Sequence, residues 1–311
     1  MLRNLRQDWR EVRLNMSMTR NESTQAPQSA AKVIAVVNQK GGVGKTTTAI
    51  NLSASLALAG QRTLLVDCDP QANTTGGLGL PRDLNRLSVY DLLTNETTAG
   101  AAILLTEIEQ LSLLPSNKDL IGANFELMGQ ERREFRLRSK LQEVLGSYRF
   151  VVLDCPPSLD LLTLNSLVAA DGLLVPMQAE YFALEGISEL MSTLDRVSQA
   201  FNPGLSLEGV LLTMYDERTN LSQQVAANLK EFFGDKLLKT TIPRNIRLAE
   251  APSHGKPVAL YDPRSRGAEA YRELATELLV RNGVITPGKQ KKPAQDAAKT
   301  SSKVRFWPYS K

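Results

Sequence analysis

The sequence has little of the residue types that most often carry acid–base, thiol or metal chemistry. Its 311 residues include one histidine, His254, and two cysteines, Cys68 and Cys155, with no Cys-x-x-Cys pair. This scarcity gives no basis for a structural zinc site or an iron–sulfur cluster. Both cysteines lie in apolar runs, which predicts reduced and buried thiols. The histidine lies in PSHGK and is interpreted as a turn residue.

Long apolar segments are also missing. No run reaches the ~18 residues that a membrane-spanning helix needs, and the polar N-terminus lacks the apolar core of a signal peptide. The chain after Ile285 is rich in lysine and offers no apolar helix face that would lie on a membrane. We therefore expect a cytoplasmic protein that does not associate with a membrane.

The positive charge is concentrated at the two ends of the chain. The net charge of +4 comprises +2 on residues 1–30, +6 on residues 282–311 and −4 on the residues between them. Both ends are polar and carry little apolar periodicity. We predict a flexible N-terminal extension over 1–30, one folded domain over 31–282, and a basic, disordered C-terminal tail over 283–311.

The predicted domain alternates between apolar β-branched runs and segments with helical spacing. KVIAVVN, QRTLLVD, RFVVLD, GLLVPM and LEGVLLTMY show no polar alternation, so they predict strands that are buried on both faces. Helical segments separate them, among them ERREFRLRSKLQEVLGS, which is expected to form one helix. This pattern predicts an α/β fold with a doubly wound, mostly parallel sheet and helices on both faces. In such sheets ligands bind beyond the carboxyl ends of the strands.

A glycine-rich loop follows the first predicted strand and precedes the first predicted helix. The loop consists of Gly41, Gly42, Val43 and Gly44. Its backbone N–H groups and the positive end of the helix suit the phosphates of a nucleotide. Lys45 is expected to reach the β- and γ-phosphates, the Thr46 hydroxyl to bind Mg²⁺, and Thr47 to support the α-phosphate.

The loop departs from the strict phosphate-binding pattern at two positions. Gln39 replaces the first glycine, and a second lysine, Lys40, precedes the glycines. The resulting KGGxGK[ST] pattern resembles the deviant P-loop of the ParA/Soj family, within the superfamily that includes MinD. The resemblance extends over about residues 32–281 and implies ATP as the nucleotide. It also implies that Lys40 reaches the phosphates bound by the partner subunit of an ATP-dependent homodimer.

Three aspartates follow predicted strands. Asp67 and Asp69 lie in VDCDPQAN, and Asp154 ends the apolar run FVVLD. Carboxylates at these positions suit Mg²⁺ bound through water, which predicts Asp67 and Asp154 as metal residues. The resemblance assigns activation of the attacking water to Asp69. A turn capped before Pro70 is the alternative interpretation of this pair.

The resemblance also assigns residues in the C-terminal half of the domain. In relatives, the proline and asparagine of IPRN contact adenine, and these are Pro243 and Asn245 here. Arg218 and Arg247 match positions that bind DNA without sequence preference. The alternative is that each arginine pairs with a neighbouring acidic residue, among Asp216, Glu217 and Glu250, or caps a helix.

The resulting functional hypothesis is a DNA-partitioning ATPase with weak, partner-stimulated hydrolysis of ATP. The resemblance implies non-specific binding of double-stranded DNA, association with the nucleoid, and release triggered by a ParB-like centromere-binding protein. The first alternative is a positioning ATPase of the same fold with a protein cargo. A membrane-positioning ATPase like MinD is a weaker alternative, because the chain lacks the amphipathic C-terminal helix.

Overall fold

An eight-stranded sheet forms the middle layer of the molecule. The computed structural model describes residues 31–81, 86–95, 97–180 and 183–286. The strands are β1 (Lys32–Val36), β2 (Thr63–Asp67), β3 (Leu104–Leu105), β4 (Leu111–Leu114), β5 (Phe150–Asp154), β6 (Gly172–Gln178), β7 (Ser206–Tyr215) and β8 (Leu237–Pro243). Their order across the sheet is β3-β4-β2-β5-β1-β6-β7-β8. Only the short edge strand β3 pairs antiparallel within this sheet. The predicted fold class is confirmed.

Helices cover both faces of the sheet. In chain order they are α1 (Lys45–Leu58), α2 (Asn73–Gly77), α3 (Val89–Thr94), α4 (Ala99–Ala102), α5 (Leu120–Glu126), α6 (Arg136–Gln142), α7 (Leu161–Ala169), α8 (Ala183–Ala200), α9 (Asn220–Phe233), α10 (Ile246–Glu250), α11 (Val258–Tyr261) and α12 (Arg266–Arg281). On one face, side chains of β1 such as Ile34 pack with apolar residues of α1 and α12. On the other, Val33 packs with apolar residues of α3, α5 and α7. Because both faces are covered, the central strands carry continuous apolar runs.

One predicted helix is wrong in its extent. The segment ERREFRLRSKLQEVLGS was expected to form a single helix, but its α-helical part is restricted to α6, with 3₁₀ turns on either side. Asn165 of α7 explains the interruption at the start. Its side chain accepts a hydrogen bond from the backbone N–H of Leu137 (3.1 Å) and donates one to the carbonyl of Arg133 (3.0 Å). These tertiary hydrogen bonds replace local helical ones.

Three further predictions concern the cysteines, membrane-spanning helices and the ends of the chain. Cys68 and Cys155 are free and buried, as predicted. Within the described ranges, no helix is both long enough and apolar enough to cross a membrane. The N-terminal extension 1–30 and all but the first few residues of the predicted tail lie outside the described residues, so the domain bounds remain predictions.

Candidate active site

The glycine-rich loop lies at the carboxyl edge of the sheet and is held in place by two neighbouring strands. Gly44 caps α1 with φ of 87°, a left-handed conformation that suits a residue without Cβ. The Thr213 hydroxyl of β7 donates to the carbonyl of Val43 (2.8 Å). The Gln178 amide of β6 donates to the carbonyl of Gly42 (3.3 Å). The loop backbone is therefore fixed from outside, with its shape set before any ligand binds.

The two loop lysines occupy different environments. Lys45 is only 7% exposed, and its ammonium donates to the carbonyl of Lys40 across the loop (3.0 Å). Burial lowers the pKa of Lys45, and the charges of Asp154 and Asp69 oppose that change. The Lys40 side chain is 55% exposed and forms an ion pair with Glu180. Lys45 therefore points into the loop, whereas Lys40 lies at its outer surface.

Thr46 and Thr47 lie in the first turn of α1 and are half-buried. The Thr46 hydroxyl lies close enough to the carboxylate of Asp154 to lower its pKa. The carbonyl of Thr47 accepts a hydrogen bond from the amide of Asn51 one turn later (2.8 Å). The structure therefore places the Thr46 hydroxyl beside the carboxylate that was predicted to share the metal site.

Asp67 and Asp154 end neighbouring parallel strands and stand opposite each other in register. Both are fully buried. Asp67 accepts hydrogen bonds from the N–H (2.8 Å) and hydroxyl (2.7 Å) of Thr75, and Asp154 accepts one from the Thr74 hydroxyl (2.7 Å). Burial, with the charge of Asp154, raises the pKa of Asp67 to about 8, and burial raises the pKa of Asp154 to about 6. Two adjacent buried carboxylates form an arrangement that a cation stabilises.

The residues around Asp154 fit a magnesium ion. Its Oδ1 is buried without a hydrogen-bond donor in the described part of the chain. The described residues hold no cluster of three acidic, histidine or cysteine side chains that would cage a metal. Mg²⁺ suits such a sparse site, because it keeps several waters and takes its other ligands from phosphate oxygens. One hydroxyl and two carboxylates match this requirement.

Asp69 follows β2 and lies beside the other acidic residues. Its backbone N–H donates to Asp67 Oδ1 (3.2 Å), and its own Oδ1 accepts from the N–H of Gln71 (2.8 Å). The side chain is nearly buried. The turn that was the alternative interpretation is therefore present, and it holds the Asp69 carboxylate near Lys45 and Asp154, whose pKa values respond to its charge.

Pro243 and Asn245 lie at the other end of the carboxyl edge, where β8 ends. Pro243 pairs in register with Tyr215 of β7, the strand that also holds the loop through Thr213. Asn245 caps α10 by accepting a hydrogen bond from the N–H of Arg247 (2.8 Å). Its carboxamide oxygen is therefore engaged in the fold, and its amide group is the part left for a base.

The two arginines predicted to bind DNA are both paired with acidic residues. Asp216 receives two hydrogen bonds from the Arg218 guanidinium, at 2.8 and 2.7 Å. Arg247 pairs with Glu250 (2.8 Å) and lies 3.3 Å from Asp262. The alternative interpretation of these residues thus describes their contacts in the isolated chain. Neither arginine belongs to the cluster around the loop.

Sequence reasoning missed several residues that position this site. They are Thr74, Thr75, Gln178, Glu180 and Thr213. Gln178 and Thr213 carry a detectable signal, because each is a polar residue at the carboxyl end of an otherwise apolar strand. Thr74 and Thr75 directly follow the DPQAN segment, which contains Asp69. Glu180 gives no such signal, since its contact with Lys40 spans 140 residues of sequence.

This chain is similar in sequence to a known protein family and to several characterised proteins. A family profile described as an AAA domain matches residues 31–207. The sporulation initiation inhibitor protein Soj of Bacillus subtilis is 52% identical over 79% of this chain and 98% of its own length. The chromosome partitioning protein ParA of Caulobacter vibrioides is 50% identical over 80% of this chain and 94% of its own length.

A solved structure extends the comparison to the fold. The cobyrinic acid a,c-diamide synthase of Mycobacterium smegmatis, solved with an ATP analogue and magnesium, is 39% identical. It covers 81% of this chain and 96% of its own, with a TM-score of 0.72. ATP and Mg²⁺, which the resemblance implied, are thus the ligand types of a solved relative. The chain belongs to the ParA/Soj family of chromosome-partitioning ATPases.

Proposed function

We propose that this protein is a nucleotide-switched DNA-partitioning ATPase whose working unit is a dimer. The observation that carries the proposal is the contrast between the two loop lysines. Lys45 is buried and directed across its own loop, where phosphates of the bound nucleotide would lie. Lys40 is at the outer surface, where its ammonium is available to a second copy of the chain.

Within one subunit, the glycine-rich loop would hold the phosphates of the nucleotide, and residues at the end of β8 would hold its base. The backbone of Gly41–Gly44 surrounds the phosphates, and Lys45 neutralises charge on the β- and γ-phosphates. Thr47 supports the α-phosphate. Pro243 and Asn245 contact the adenine. The fixed loop supports this assignment, since a preformed cradle needs no rearrangement on binding.

Hydrolysis would need a positioned water and compensation of phosphate charge. Mg²⁺, when bound, would supply positive charge that stabilises phosphoryl transfer. Thr46, Asp67 and Asp154 would hold it, the two carboxylates acting through water. Asp69 orients the attacking water and accepts its proton. The turn that fixes the Asp69 carboxylate supports this role, because a general base must be positioned first.

DNA binding would follow from dimer formation. Arg218 and Arg247 contact DNA phosphates without base readout, and exchange their carboxylate partners for phosphates in doing so. Arg244, which lies between them in sequence, is exposed, has no ion pair among the described residues, and is close enough to Asp216 to affect its pKa. Arg218, Arg244 and Arg247 together form the proposed DNA patch. Two patches on one dimer give a stable complex where a single patch binds weakly.

The partner would be a ParB-like protein bound to a centromere site, which stimulates hydrolysis and returns the dimer to monomers. The similarity to proteins named for chromosome partitioning supports a chromosomal cargo in the cytoplasm, on the nucleoid.

The first prediction tests the dimer. Lys40→Ala should abolish dimer formation in a non-hydrolysable ATP analogue with Mg²⁺, measured by light scattering. Binding of the analogue to the monomer should change less than about threefold, because Lys45 and the loop backbone remain. Lys239→Ala, which removes an exposed lysine well below the carboxyl edge on β8, is the matched control. Normal dimerisation of Lys40→Ala would refute the proposed role.

A further inference from the structure

A group of exposed apolar side chains lies on the carboxyl edge of the sheet, outside the nucleotide site. Ile121, Phe125 and Met128 are 61%, 71% and 65% exposed. Their spacing of four and three residues places them on one face of α5 and the turn that follows it. Leu159, also exposed, precedes Asp160, which accepts a hydrogen bond from Asn124 of α5. These four residues are here called the α5 patch.

The α5 patch is joined to the two turns that carry the metal aspartates. At one end, the N–H of Ser116, just before α5, donates to the Thr75 hydroxyl (3.0 Å), which itself donates to Asp67 (2.7 Å). At the other, Asn124 of α5 donates to Asp160 (3.2 Å), in the turn that follows Asp154. The position of the patch is therefore set by the same turns that surround the nucleotide.

Three large apolar side chains on one helical face are unusual on a surface that remains in water. Around them, Lys118 and Arg132 carry positive charge, and Asp119 and Glu131 carry negative charge, all of them exposed. DNA or a strongly basic peptide requires a surface of one sign. A surface that carries both signs can complement its own copy when a two-fold axis brings the two together.

We infer that the α5 patch is a second contact region of the ATP-dependent dimer and that its occupant is another copy of this chain. The inference rests on the proposed function, in which Lys40 brings a second copy to the carboxyl edge. One lysine from each side is a small contact, whereas stable interfaces bury about 800 Å² on each partner. The patch extends the contact along the same edge. The hydrogen bonds of Ser116 to Thr75 and of Asn124 to Asp160 connect it to the turns of the nucleotide site.

The test compares two exposed apolar residues of similar character. Phe125→Ser removes the most exposed side chain of the patch. Leu58→Ser is the control, because Leu58 is 55% exposed at the far end of α1, about 20 Å from the loop at 1.5 Å per helical residue. The dimer dissociation constant is measured by sedimentation equilibrium with the non-hydrolysable ATP analogue and Mg²⁺. Binding of the analogue to monomer is measured separately.

Phe125→Ser should weaken the dimer at least tenfold, since buried aromatic residues dominate interface affinity. Adding Met128→Ser should weaken it further, while Leu58→Ser stays within about twofold of wild type and analogue binding is unchanged in all three. Wild-type affinity in the double variant would overturn the inference. So would a normal dimer that loses only stimulation by a ParB-like protein, which assigns the patch to that partner.

The same measurements separate this inference from the proposed function. If the wild type dimerises and Lys40→Ala does not, the dimer proposal is supported whatever the patch variants do. If the wild type remains monomeric with the analogue, the dimer proposal and the inference are both overturned.

Discussion

At the scale of single residues, the two lysines of the loop show how environment decides role. Lys45 is buried and directed across its own loop, so in the proposed function its charge acts on the nucleotide of the same subunit. Lys40 is paired with Glu180 at the surface. For Lys40 to act on a partner's nucleotide, this ion pair must open. Glu180 and the partner's phosphates therefore compete for one ammonium group.

This competition gives the second prediction. Glu180→Gln should strengthen the analogue-bound dimer by about two- to fivefold, the range expected when an exposed ion pair no longer competes. The measurement is the dimer dissociation constant from sedimentation. In a Lys40→Ala background the same substitution should have no effect. A weaker dimer in Glu180→Gln would show that Glu180 contacts the partner and does not restrain Lys40.

The third prediction concerns Asp69. Asp69→Ala should lower ATP turnover by at least about 10²-fold, the lower end of what a positioned general base contributes. Dimer formation and DNA retention should persist, because the loop and its lysines are intact. Phosphate release measures the first effect and a DNA-pelleting assay the second. Asp195→Ala replaces a partly buried carboxylate on α8, far along the chain from the loop, and serves as the control. Turnover at the wild-type rate in Asp69→Ala would contradict the assignment.

At the scale of elements, the edge strand β8 is protected by α12. Glu277 of α12 accepts hydrogen bonds from the backbone N–H groups of Lys239 and Thr240, both at 2.9 Å. It also pairs with Arg281 at 3.0 Å. An edge strand otherwise presents free N–H groups to other chains. One carboxylate of α12 therefore occupies two N–H groups of the edge strand β8.

Glu277 gives the fourth prediction, which is a dependence of stability on pH. Burial alone would raise the pKa of Glu277, but the backbone donors and Arg281 outweigh it, and the pKa is lowered. A lowered pKa stabilises the fold at pH above the unfolded value of about 4.3, and this contribution is lost as pH falls through the folded value.

Glu277→Gln should therefore reduce the free energy of unfolding by about 1 kcal/mol at pH 7, roughly 2–4 °C in Tm. The difference between variant and wild type should shrink as the pH is lowered below about 4, measured by thermal unfolding across pH. Glu273→Gln changes an exposed carboxylate on the same helix and is the control. A difference that stays constant down to pH 3 would contradict the argument.

At the scale of the whole molecule, the charge distribution makes DNA binding conditional. The part of the chain from residue 31 to 281 carries a net charge of −4. Within the proposed DNA patch, Arg218 is held by Asp216, and this guanidinium lowers the pKa of Asp216 to about 2. Binding to phosphates must open that ion pair. A monomer would hold DNA weakly, and a dimer with two patches would hold it well.

The fifth prediction uses two substitutions with opposite expected effects. Arg218→Ala should weaken DNA retention by the analogue-bound dimer and make the slope of log affinity against log salt less steep by about one per lost contact. Asp216→Asn should strengthen retention, because Arg218 is then free for phosphate. Arg62→Ala, exposed at the start of β2 on the opposite edge, should leave the slope unchanged. Equal slopes for Arg218→Ala and wild type would remove Arg218 from the patch.

Much of the fold and of the nucleotide site was predictable because the signals are local. Buried parallel strands read as continuous apolar runs, and a glycine loop between a strand and a helix shows in consecutive residues. The broken helix around α6 was not predictable, since Asn165 supplies its hydrogen bonds from 28 residues away. The contact of Thr74 with Asp154 was missed for the same reason, since it spans 80 residues.

The sequence by itself determined the family, the loop chemistry and the α/β fold class, because these depend on residue types at short spacing. Only the tertiary structure decided which lysine is buried, which carboxylates hold the arginines, and which apolar side chains remain exposed. Those properties depend on neighbours that folding brings together from distant segments, such as Lys40 with Glu180 and Ser116 with Thr75. The sequence shows both residues of each pair, but it does not show that they are in contact.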